Sequence, residues 1–165
     1  MSSNLSDSQP LSADKSPHVI RLHGPWRYQP LALTELQANG DSIEIGGELP
    51  PAGTVKIPGD WTDSLGAEFR GRVLYSRPFG QPTNIDDHQR IDLVLAKLRG
   101  NAQIALNGES LGQIESGDES QRFDVTGRLL ARNELRVEID LPRGGPEQGA
   151  GGIVGSVQLE IYEAK

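Results

Sequence analysis

The chain has 165 residues and a mass of 17.8 kDa, a length that suits one domain burying about 68–70% of the surface its extended chain would expose. Cysteine is absent, which excludes disulfides, thiolate nucleophiles and cysteine-ligated metals. With 16 Lys and Arg against 23 Asp and Glu, the net charge of −7 repels phosphate backbones and anionic lipid, so neither nucleic acid nor membrane is expected as a partner.

Residues 1–17 are rich in Ser, Asp and Pro and carry no apolar export segment, so they read as a disordered tail on a domain spanning 18–165, in a cytoplasmic protein. From there 20 glycines and 11 prolines punctuate short runs of alternating apolar and polar residues, the period of strands. The spacing predicts strands at 19–22, 27–31, 43–45, 54–57 and 73–79. It predicts two more at 91–95 and 102–106, the second with Ala102, Ile104 and Leu106 on one face. Asn107-Gly108 then supplies the two positive-φ positions of a type I′ turn, returning through a strand at 111–114. A helical turn is expected at 127–131, capped by Asp124 or Thr126. Strands at 135–141 and 157–162 each carry one polar face. Between them residues 142–152 form a loop too glycine-rich to pair and long enough to border a site. Hairpin sheets of this kind need a second layer, so the expected fold is all-β, a two-sheet antiparallel β-sandwich or jelly roll.

Several segments carry a more specific signal. Leu22-His23-Gly24-Pro25-Trp26, Val55-Lys56-Ile57-Pro58 and the run from Gly71 to Phe79, with Tyr75 and Arg77 in register, come in that order. Asn107-Gly108 with Gly112, Phe123-Asp124-Val125-Thr126, Asn133-Glu134-Leu135-Arg136-Val137 and Gly151-Gly152-Ile153 follow. In type and order they resemble the N-terminal sugar-binding, galactose-binding-like jelly-roll domain of glycoside hydrolase family 2, the β-galactosidases, β-glucuronidases and β-mannosidases. Two departures stand out: Leu74 occupies a position where that family usually has Trp, and residues 117–122 replace a glycine–aromatic segment. The resemblance implies a sandwich whose catalytic carboxylates would lie on a separate barrel domain. The expected function is therefore a non-catalytic carbohydrate-binding module. The alternatives are a protein-interaction module that keeps the scaffold, or an accessory part of a glycosidase.

The residues themselves support no catalytic reading. His18, His23 and His88 lack metal-ligand spacing, and the serines lack a nucleophile-elbow pattern. The run 115–120 offers oxygens to calcium but without EF-hand spacing, so a solvated hairpin extension is the expected reading and no cofactor is expected. Sugar binding needs an exposed ring beside planar polar groups, and there are two Trp, three Tyr and three Phe to draw on. Trp26, Tyr28, Tyr75, Phe79 and Phe123 fall where a core would claim them, leaving Trp61, Phe69 and Tyr162. Trp61 has two readings, a ring that stacks on sugar or a plug at one end of the sandwich. Arg70 and Arg72 are candidate hydroxyl or carboxylate binders or else strand-edge ion-pair partners. By order in the resembling family, loop 142–152 lies near the active-site pocket, with Glu147 and Gln148 as its hydrogen-bonding tips; the alternative is a mobile surface loop.

Overall fold

The computed structural model describes residues 16–163, and within them every strand pairing between named elements is antiparallel. Residues 1–15 of the expected tail, and 164–165, lie outside the described residues.

Strands β1 (His18–Arg21), β2 (Trp26–Leu36), β3 (Ser42–Ile45), β4 (Gly53–Val55) and β5 (Gly59–Asp60) precede a single helical turn, α1 (Thr62–Leu65). Strands β6 (Gly71–Gly80), β7 (Gln89–Leu95), β8 (Leu98–Arg99), β9 (Asn101–Leu106) and β10 (Glu109–Ile114) follow. The chain closes with β11 (Gln121–Asp124), β12 (Arg132–Leu141), β13 (Gly152–Ile153) and β14 (Val157–Glu163). They form a large sheet in the order β10-β9-β12-β6-β2-β3 with β4 also on β2, a smaller sheet β1-β14-β7-β11, and a short three-stranded sheet β5-β13-β8. This is the expected all-β architecture.

The alternation read from the sequence is what builds the core. Ile104 and Leu106 of β9, Leu135, Val137 and Ile139 of β12 and Val73 and Tyr75 of β6 join Leu93 and Leu95 of β7 and Leu159 of β14 in one buried cluster. Burying each such aliphatic side chain contributes about 1.5–3 kcal/mol. The Asn107-Gly108 turn has φ of 53° and 85°, the two left-handed residues a type I′ turn demands. Asn107 also reaches across to β12, its N–H donating to the Glu134 carbonyl at 2.9 Å and its Oδ1 accepting from the Glu134 N–H at 2.8 Å.

Two expectations need correction. The helical turn foreseen at 127–131 is a simple turn, closed by Arg128 N–H to the Val125 carbonyl at 2.9 Å, while Asp124 caps the Thr126 N–H at 2.9 Å. The one helical turn among the described residues is α1, after Asp60, whose Oδ1 accepts from the Thr62 N–H at 2.9 Å. Strand β2 runs to Leu36 rather than stopping at 31, because the ladder to β6 shifts register between Pro30 and Ala32. A bulge tolerates a residue that has no N–H to donate.

Candidate functional site

Loop 142–152 is fastened along its length. The Arg143 N–H donates to the Thr34 carbonyl at 2.9 Å, and its own carbonyl accepts from Leu36 at 2.8 Å, stitching the loop's start to β2. At the other end the Trp61 N–H donates to the Gly151 carbonyl at 2.9 Å, and β13 pairs with both β5 and β8. Between these anchors the Gln148 carbonyl accepts from the Arg70 guanidinium at 3.2 Å, and Glu147 accepts a hydrogen bond from the Ser116 hydroxyl. Ser116 is itself held: its Oγ accepts from Gly100 N–H at 2.9 Å, and its N–H donates to Asn101 Oδ1 at 3.1 Å. Gly100 sits at φ +110°, and a Cβ there would stand 2.5 Å from Ile139. Only glycine allows this approach.

The outward side chains of the large sheet continue the site. The register sets Arg72, Asp140 and Asn101 side by side on β6, β12 and β9. In the next row it aligns Leu74, Glu138, Gln103 and Gln113 across β6, β12, β9 and β10. An open cleft of about 350 Å³ lies over these rows, lined by Arg72, Gln103, Gln113, Glu115, Glu138 and Asp140 among others. A second, of about 340 Å³, adjoins it through shared Asn101, Glu115 and Asp140 and is walled by Leu36, Pro142, Pro146 and Glu147. Buried Thr34 donates its hydroxyl to Asp140 Oδ1 at 2.7 Å, so that carboxylate is oriented from below.

The sequence-predicted residues are therefore distributed unevenly. Glu147 and Arg72 stand in the two adjoining clefts. Arg72 is already engaged, 2.8 Å from Glu44 and 3.9 Å from Glu138, which is the ion-pair reading of that residue. Arg70 and Gln148 meet, but through a backbone carbonyl, and Arg70 is further held by the Phe69 carbonyl at 2.8 Å. Trp61 offers no face to a ligand. It is fully buried, with Phe69 edge-on at 5.4 Å and 84° and Gly151 pressed on its six-membered ring. The plug reading describes it, and the sugar-stacking reading does not. Its Nε1–H is buried without a partner among the described residues.

Tyr162, the third ring left free by pattern after Trp61 and Phe69, lies half-buried between Arg90 and Arg122, whose guanidinium carbons are 5.9 and 6.0 Å from its centroid. Those arginines pair with buried Asp92 at 2.8 and 3.2 Å, and Arg122 also pairs with Glu160 at 2.9 Å. Burial pushes the Glu160 carboxyl up. Hydrogen bonds from Tyr162, Gln158 and Arg122 more than offset that and leave it below its ordinary value.

The run 115–120 that offered oxygens to calcium is occupied with protein contacts. Asp118 is 2.9 Å from Arg99 and 3.5 Å from Lys97, and the Arg99 hydrogen bond, with the Lys97 charge behind it, holds its carboxyl below the ordinary range. Among the described residues no three His, Cys, Asp or Glu converge on a metal position, and no helix is long and apolar enough to cross a membrane.

Sequence reasoning left Asn101, Gln103, Gln113, Glu115, Ser116, Glu138 and Asp140 out of the site. The signal for several of them was the polar half of each strand's alternation. What one strand's pattern lacks is the neighbour order that lays those halves into a common cleft.

Residues 67–148 match the family model described as glycosyl hydrolase 2 galactose-binding domain-like. No curated protein matches the chain. Among solved structures it is similar to the Bifidobacterium dentium β-glucuronidase complexed with coumarin-3-O-glucuronide, at 24% identity and a TM-score of 0.68, over 91% of this chain and 31% of that one. The Faecalibacterium prausnitzii β-glucuronidase follows at 19% identity and 0.68, over 90% and 32%. A β-galacturonidase from Eisenbergiella tayi bound to glycerol gives 20% and 0.62, over 88% and 24%. The chain thus spans about a third of those proteins or less, and at these identities the likeness is one of fold.

Proposed function

We propose that this chain, which carries the galactose-binding-like domain of glycosyl hydrolase family 2, binds carbohydrate without hydrolysing it, in the paired clefts between loop 142–152 and the outer face of the large sheet. The observation that carries the reading is the fastening of Glu147 by Ser116 at the wall of a cleft whose floor is lined with amide and carboxylate side chains. Planar groups of this kind pair with vicinal hydroxyls, and a pinned loop loses little freedom when a ligand arrives. Hydrolysis is outside the proposal. It requires two carboxyl groups facing one bond, about 5–5.5 Å apart for retention or 6.5–9.5 Å for inversion, and the family match is to the domain type that carries no barrel.

The test is saturation-transfer NMR on galactose, glucose, mannose and their short oligomers at millimolar concentration, with Glu147→Ala and Gln113→Ala as the variants. Transfer to one sugar class, lost in variants whose amide spectra stay folded, is the expected result. Silence across the panel, or transfer that ignores both substitutions, overturns the proposal.

A further inference from the structure

A separate cleft lies further along the same outer face. The register aligns Thr54, Arg27, Ser76 and Arg136 as one row across β4, β2, β6 and β12. With strands about 4.8 Å apart, the Cα atoms of Arg27 and Arg136 are roughly 10 Å from each other with Ser76 between them, so both side chains can converge above the serine. The cleft over this row, about 420 Å³, is lined by Arg27, Tyr28, Gln29, Leu74, Ser76 and Arg136 among others.

Its charge is not internally balanced. Arg27 is exposed, and among the described residues its side chain has no hydrogen-bond or ion-pair partner. Arg136, half-exposed, has one carboxylate near it, Glu134 at 3.5 Å, which also lines the cleft. Arg72, two residues from Leu74 on the same strand, shows the contrast, since it has Glu44 and Glu138 against it. Two guanidiniums flanking a hydroxyl, with one loosely held carboxylate, present forked donors to an oxyanion. Half-buried Leu74, paired with Gln29 on the same face, supplies an apolar contact beside them.

We propose that the Arg27–Ser76–Arg136 row is a second binding site, one that takes the carboxylate or sulfate group of an acidic saccharide, with Leu74 against the sugar's C–H face and Gln29, Thr54 and Ser76 toward its hydroxyls. The site is independent of the cleft beside Glu147. Opposite long-range charge is absent, because the net −7 repels the ligand until it is close. Binding is therefore weak and reports the local contacts.

The experiment is an amide-resolved NMR titration of the full chain with glucuronate, glucose 6-sulfate, glucose and inorganic sulfate. Either acidic sugar should shift the amides of Arg27, Ser76 and Arg136 at concentrations where glucose does not, and inorganic sulfate should bind several-fold more weakly. Arg27→Gln and Arg136→Gln should each weaken the acidic sugar about tenfold, the loss of one charge-assisted contact, while leaving shifts around Glu115 and Glu147 unchanged. Which acidic sugar binds tells carboxylate from sulfate ester. Equal response to glucose, binding of bare sulfate as strong as that of the sugars, or no shift in this row would overturn the assignment. The amides around Glu115 and Glu147 report separately on the proposed neutral-sugar cleft.

Discussion

Gly151→Ala probes the plug at the end of the sandwich. A Cβ at position 151 would stand 2.6, 2.8 and 2.9 Å from Cη2, Cζ2 and Cζ3 of Trp61, against about 3.5–4.0 Å for an ordinary carbon–carbon contact. The backbone at Gly151 is outside the left-handed region, so the penalty is steric alone. The indole has nowhere to go, being fully buried, held edge-on by Phe69 and tied to the loop through its own main-chain N–H. Overpacking a rigid site of this kind costs about 1–3 kcal/mol, a fall in Tm of roughly 2–12 °C for a domain of this size. Urea unfolding followed by circular dichroism reads it. Trp61→Phe removes the ring atoms that clash and, because Nε1 has no partner, removes no hydrogen bond. In that background Gly151→Ala should be less costly by at least about 1 kcal/mol, the mark of direct contact in a double-mutant cycle. A Gly151→Ala protein as stable as the parent, or strict additivity of the two changes, would refute the packing argument.

Two further outcomes follow from the hydrogen bonding. Because Glu160 is held below its ordinary value of 4.5, its contribution to stability is complete above that pH and is lost as pH falls through the lower folded-state value. Glu160→Gln should therefore flatten the decline of the urea midpoint below about pH 4.5, which parallel titrations of the two proteins measure. Asn133, buried beneath the β9–β10 hairpin, accepts from Leu130 N–H at 2.8 Å and from Asn107 Nδ2 at 2.9 Å and donates to the Leu130 carbonyl at 2.9 Å. Asn133→Ala leaves those groups unpaired and should cost about 1–3 kcal/mol, while Asn107→Ala, which also loses a left-handed residue, should lower the midpoint by a similar amount.

The elements legible in the sequence were those whose side chains alternate without interruption. Leu135, Val137, Ile139 and Leu141 announce β12, and Asn107-Gly108 announces its neighbouring hairpin, because local sterics and burial point the same way there. The pattern failed where neighbours decide. The strand read at 27–31 continues to Leu36 because a register shift after Pro30 carries the ladder to β6 onward. The strands β5, β8 and β13 are two residues each and exist only because they meet one another. The site divided along the same line. Glu147 could be picked from its loop, whereas Trp61 could not be sorted between surface and interior until the position of Gly151 was known. Asp140 and Gln103 looked like ordinary polar faces until the strand order set them side by side.

The position of β14 has a bearing on how the protein is made. It lies between β1 and β7, yet among the described strands it is translated last and β1 first. Through most of synthesis β1 has no neighbour to pair with, and β7 has only β11. The smaller sheet can close only after residues 157–163 emerge, so its central pairings form after every strand of the large sheet has been made. A nascent chain halted before Val157 would display the apolar faces of both layers, and it is this species, not the finished domain, that a holding chaperone would meet.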